Sequence, residues 1–161
     1  MKRYTTVIFD LFDTIVNFNF SHLPAIELMG VRSRTTSHEV YSVFSAYYPG
    51  KSFEEFYPYF IESYHRFQEM KRAEYREYPN RDRFLLMLRN LGLPIDSQAE
   101  SAADEMVIAH MGGIARAVEF PPENAAALEA VGKKGYRMAI VSNFDYAPAA
   151  YALIGRSLCR R

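Results

Sequence analysis

The chain has no tryptophan, a single cysteine and no net charge. Cys159 alone cannot close an internal disulfide, which suits a reducing compartment. Nineteen basic and nineteen acidic side chains cancel, so no surplus of one sign points to nucleic acid or to an anionic membrane surface. No apolar run approaches the ~20 residues of a membrane span. The run that follows Lys2 and Arg3 meets Asp10 too soon for a signal peptide. The four histidines, His22, His38, His65 and His110, show no ligand spacing, and surface or core roles explain them better than a metal does. These absences leave a soluble cytoplasmic protein as the expectation.

What is present is an ordinary globular balance: 161 residues, 49% hydrophobic and 24% charged, enough for one domain, or one domain with an insertion, around a real core. Aromatics are abundant, with 12 Tyr and 12 Phe, and most lie between Phe18 and Tyr78 in segments of helical spacing. In TTSHEVYSVFSAYY, Thr36 and Glu39 read as a capping box ahead of an apolar face of Val40, Tyr41, Phe44, Tyr47 and Tyr48. In KSFEEFYPYFIESYHRFQEM, Ser52 and Glu55 do the same ahead of Phe56, Phe60, Tyr64 and Phe67, and Pro58 predicts a kink or a delayed start. A third helix over PNRDRFLLMLRNLGLP turns Phe84, Leu85, Leu88 and Leu91 inward and stops at Gly92. A fourth, from about Asp96, carries Met106, Val107 and Met111 and is expected to end at Gly112 and Gly113. Such aromatic stripes could line a ligand pocket, but plain helical core is the simpler reading.

The flanks read differently. Val7–Val16, VIFDLFDTIV, is an apolar strand that runs into Asp10 and Asp13 with Phe12 between them. Far downstream, two prolines precede a short helix, and Tyr136 to Val141 form a second apolar strand ending in Ser142 and Asn143. Continuous apolar runs suit parallel strands covered on both faces. Two such strands with polar C-terminal tips predict an α/β fold with an open parallel sheet and a ligand crevice at those tips. Asp10 stands at its mouth. Read from the residues alone, Asp10 could instead be a turn or helix-cap acid, and Ser142 with Asn143 a tight strand-to-helix turn. Asp13 is read as a turn residue.

VIFDLFDTIV paired with AIVSNFD resembles the first two motifs of the haloacid dehalogenase superfamily, and the helical block between them resembles that family's inserted cap. The resemblance implies an α/β Rossmannoid core, here an incomplete parallel sheet, from residues 1–17 and 115–161, with an α-helical cap from residues 18–114. It implies Asp10 as the nucleophile that forms a covalent intermediate, Thr14 closing the first loop, and Ser142 with Asn143 binding the substrate. In a phosphatase of this kind, Mg2+ would be held by Asp10, by the backbone carbonyl of Phe12 and by a distant acidic motif. A dehalogenase would need no cofactor.

Two departures stand out. Phosphatases of the family carry a general acid where this chain has Phe12, and a phenylalanine moves no proton. A halide leaves without protonation, and an acyl phosphate would also tolerate Phe12, so the substrate is expected to be a small phosphorylated or halogenated molecule. Arg32 and Arg34 are the nearest candidates to grip a substrate carboxylate, though surface roles suit both. Beyond Asp145 the chain holds no Asp, Glu or Lys, so the family's third-motif lysine and fourth-motif acidic pair have no counterpart. Lys133 and Lys134 precede the second strand and would sit at the other end of the sheet. This predicts a truncated member whose activity is in doubt, and two strands alone would expose unpaired edges. The alternative is a non-catalytic remnant or a binding and dimerisation module. A homodimer or a complementing chain would be its partner.

Overall fold

The computed structural model describes residues 4–28, 30–144 and 148; the readings placed on Asp145 and on residues 149–161 lie outside them. The chain divides into two compact units, one of residues 1–23 and 115–161, the other of residues 24–114.

The first unit is built on β1 (Thr6–Phe9) and β6 (Arg137–Ile140), which pair in parallel with Phe9 abreast of Ile140. Thr6, Val7 and Ile8 are β-branched and fit the pleated surface of a strand. Between the two strands in sequence lies α5 (Pro122–Lys133), opened by Pro122, whose fixed φ suits a first helical turn. Helix α5 covers one face of the sheet: a Cβ at Gly132 would lie 3.5 Å from the Met138 methyl, in ordinary contact. Leu128 joins Leu11, Ile15 and Val16 in a small buried core, with Phe9, Phe12 and Phe144 packed around it.

Among the described residues nothing covers the other face, which corrects the expectation of strands covered on both sides. Ile8 and Val141 are 65% and 64% exposed, and every residue of β6 is exposed. A two-stranded sheet with one helix can bury only the side chains that alternate toward that helix. A short second ladder, β2 (Asn17–Phe18) antiparallel to β5 (Val118–Glu119), ties the chain before the helical unit to the chain after it. The Asn19 amide donates to the Ala117 carbonyl (2.7 Å), and its side chain donates to the Glu119 carboxylate (2.6 Å).

The helical unit begins with a hairpin absent from the sequence reading. Strands β3 (Ala25–Leu28) and β4 (Val31–Arg34) pair antiparallel and turn through Gly30 at φ +75°, which a glycine adopts without strain. Four helices follow: α1 (Ser37–Tyr47), α2 (Phe53–Glu74), α3 (Asn80–Asn90) and α4 (Ser97–Arg116). Their shared core holds Val40, Phe44, Phe56, Phe60, Phe84, Met87, Leu88 and Met106, with Ala99, Ala102 and Ala103 letting α4 approach closely. The aromatic stripes are thus chiefly core.

Several local expectations meet the structure differently. The box at Ser52 and Glu55 forms in full: the Glu55 amide donates to Ser52 Oγ (3.2 Å) and the Ser52 amide to the Glu55 carboxylate (2.8 Å). The box at Thr36 and Glu39 does not. Thr36 makes no side-chain cap bond, and the Ser37 amide donates instead to Thr35 Oγ1. Pro58 lies inside α2, which begins at Phe53 without delay. Tyr64 is 46% exposed, and Ser63 takes the inward place beside it.

Helix α4 runs through Gly112 and Gly113 to Arg116 rather than ending at them. At Gly113 a Cβ would fall 2.6 Å from Thr36 Cγ2 and closer still to the Glu39 carboxylate. The missing side chain is room for α1, not a stop.

The freed Thr36 hydroxyl lies 2.6 Å from His110 Nδ1 inside the unit. Behind His110 is Arg83, only 3% exposed. Its Nε donates to Ser63 Oγ and one terminal nitrogen to the Phe60 carbonyl (both 3.2 Å), while the other faces His110 Nε2 at 3.5 Å. The guanidinium lies over the rings of Phe60 (4.6 Å), Phe84 (5.1 Å) and Tyr64 (5.5 Å). Burial lowers the Arg83 pKa to about 10. Burial first, and the Arg83 charge second, push His110 down to about 3. His110 is therefore neutral. A neutral ring that faces an arginine donor with Nε2 carries its proton on Nδ1, donating it to Thr36.

Candidate active site

Strand β1 delivers its chain to Asp10, which is exposed immediately beyond the last paired residue. The parallel register does the same for β6: the Val141 amide donates to the Phe9 carbonyl (2.9 Å), so Asp10 and the Val141–Asn143 segment leave the sheet at one edge. This is the C-terminal edge where open α/β sheets hold their ligands.

The chain after Asp10 folds into a tight loop rather than a continued strand. Leu11 is buried and its carbonyl accepts from the amides of Ile15 (2.9 Å) and Val16 (3.0 Å), while the Asp13 amide donates to the Val16 carbonyl (2.8 Å). Asp13 sits at φ +55°, a left-handed conformation that Asp tolerates better than most residues. Its role is that of a turn residue. The apolar members Leu11, Ile15 and Val16 face the core, and Asp10, Asp13 and Thr14 face outward and are exposed. One loop therefore presents polar groups by anchoring its apolar ones.

On the second strand's side, Ser142 is half-buried and its Oγ accepts from the Phe144 amide (3.2 Å), fixing the turn that follows. Asn143 is exposed. Phe144 meets Phe12 edge to face, with ring centroids 5.3 Å apart and planes at 67°. Phe12 is half-buried, so the position where an acid would stand is part of an apolar wall joining the two loops. Its partner Phe144 carried no signal in the sequence, because only the fold brings it to Phe12.

Asp10 and the Phe12 carbonyl are two oxygen donors, well short of the roughly six that an octahedral Mg2+ takes even when waters supply several. Among the described residues no three His, Cys, Asp or Glu side chains gather as a metal site. The described residues do not by themselves fit a magnesium centre. Lys133 closes α5 at the far end from this edge, before β6 begins, and pairs with Glu129 at 3.0 Å. Arg32 and Arg34 lie exposed on β4 in the helical unit.

No helix among the described residues is long and apolar enough to cross a membrane. No curated protein and no solved structure matches the chain. The model of one protein family does, over residues 4–158, nearly the whole length: the chain belongs to the haloacid dehalogenase-like hydrolases.

Proposed function

We propose that Asp10 is the nucleophile of a hydrolase that forms a covalent aspartyl ester, and that its substrate carries a leaving group needing no proton, a carbon-bound halide. The observation that supports this reading is the wall of Phe12 and Phe144 beside Asp10. Alkoxide departure from a phosphate ester calls for a general acid, and Phe12 offers none. A halide departs as a stable anion and needs no acid at that wall.

In this reading one Asp10 oxygen attacks the carbon, the carbon–halogen bond breaks and the halide takes the electron pair. Water then adds at the ester carbonyl and releases the alcohol, with one proton passing to solvent. Asp10 is regenerated. Ser142, Asn143 and the Thr14 hydroxyl would hold the polar end of the substrate. No step runs through a metal.

The test is a single turnover of the purified chain with short 2-haloacids in water enriched in 18O, reading halide release and the mass of the peptide that contains Asp10. Label in that peptide, and loss of halide release in Asp10→Asn with an unchanged melting temperature, are expected. Label in the product alone would mean direct attack by water and would overturn the nucleophile. Turnover of acyl phosphates with no halide release would instead move the substrate class and leave Asp10 in its role.

A further inference from the structure

The geometry points to Asn124 as a positioning residue for the reactive loop, an inference that rests on Asp10 being the nucleophile. Asn124 lies in the first turn of α5, and its backbone amide already donates to the Pro121 carbonyl (3.1 Å). Its side chain does something else. Nδ2 donates to the carbonyls of Thr14 (3.2 Å) and Ile15 (3.0 Å), across more than a hundred residues of sequence.

The loop's own hydrogen bonds use the carbonyls of Leu11 and Val16 and the amides of Asp13, Ile15 and Val16. One amide group on α5 serves two of the four carbonyls between them, those of Thr14 and Ile15, and Leu128 of the same helix packs on Leu11, Ile15 and Val16. Helix α5 grips the loop twice, by an apolar contact and by a polar one. Asp13 at φ +55° holds a left-handed conformation that few non-glycine residues adopt, and the loop's bonds keep it there. With the Thr14 carbonyl held inward, its hydroxyl and the Asp10 carboxylate are left on the exposed side. Asn124 sets the direction in which both face a substrate.

Asn124→Asp is the informative change. A carboxylate cannot donate to two carbonyls, yet an acid in the first turn of a helix is favourable, so α5 itself is not weakened. Asn124→Gln keeps the donor on a longer arm. The experiment measures kcat and KM for both variants together with amide hydrogen exchange over residues 11–16 in the full chain. For Asn124→Asp, kcat is expected to fall about 10- to 100-fold, as small misplacements of reacting groups do, with KM changed by less than about threefold. Exchange at Asp13, Ile15 and Val16 should accelerate while the rest of the chain keeps its protection, and Asn124→Gln should recover part of both. A kcat within about threefold of the unaltered chain, or exchange that rises evenly along the sequence, would overturn the inference. Should Asp10→Asn prove fully active, the nucleophile reading falls on its own account. Exchange in the loop then decides alone: unchanged protection removes Asn124 from the role, and loop-confined acceleration keeps it as the clamp.

Discussion

At the scale of single residues, the interior of the helical unit poses the sharpest chemical question. Arg83 is buried with neutral acceptors and aromatic faces around it, and among the described residues no carboxylate pairs with it. Desolvating such a charge costs several kcal/mol, and the guanidinium recovers part of this through its bonds and its three rings. His110 helps by staying neutral. That neutrality has a measurable consequence. In the folded chain His110 titrates near 3, while in the unfolded chain it returns to its ordinary value of 6.5. Between those values the unfolded chain binds the extra proton, so this contribution to stability is complete above pH 6.5 and is lost progressively as the pH falls toward 3. The slope approaches about 1.4 kcal/mol per pH unit. Denaturant unfolding measured from pH 6.5 down to 5, above the usual carboxylate range, should show that slope, and His110→Gln should flatten it. Nothing in the sequence announced the pair, because Arg83 sits among charged residues in PNRDRF and is turned inward only by the register of α3.

At the scale of elements, two glycines in helices do opposite things. Gly113 faces Thr36 and Glu39 at a distance no Cβ can share, whereas Gly132 leaves a Cβ only an ordinary contact with Met138. Gly132→Ala should therefore raise stability by up to about 1 kcal/mol, the difference in helix propensity. Gly113→Ala should lower it by about 1–3 kcal/mol, because overpacking outweighs propensity. Thermal melts of the two variants, run side by side, separate the effects. The sequence made Gly113 look like punctuation, since a glycine pair near the end of a periodic run reads as a stop. What decided Gly113 is a neighbour from α1, seventy-odd positions away in the chain. The Ser52–Glu55 box was legible for the converse reason: both partners lie within one turn, so no other element had a vote. At Thr36 another element did, and its hydroxyl went to His110.

For the whole molecule, the larger core belongs to residues 24–114, where four helices share their aromatic and aliphatic side chains. That segment, expressed alone, should fold with a helical circular dichroism spectrum and a cooperative melt. A non-cooperative, urea-insensitive signal would show that it needs the rest of the chain. The family was legible because its two motifs lie at strand ends, where local pattern suffices. The hairpin of β3 and β4 was missed although Gly30 between alternating segments is a fair signal, and the loop clamp at Asn124 was out of reach because its partners are distant in sequence. The arrangement also bears on the order in which the chain folds. Strands β1 and β6 are separated by most of the sequence, and closing so long a loop is slow. Within the helical unit, however, the Thr35 amide donates to the Pro24 carbonyl, and neighbouring Thr36 bonds His110, one turn before the unit's last residue. Once that unit has formed, its two ends are already near each other, and β2 needs only to meet β5 for β1 and β6 to come within reach. The helical unit thus works as a kinetic shortcut, turning a contact of very high order into a local one.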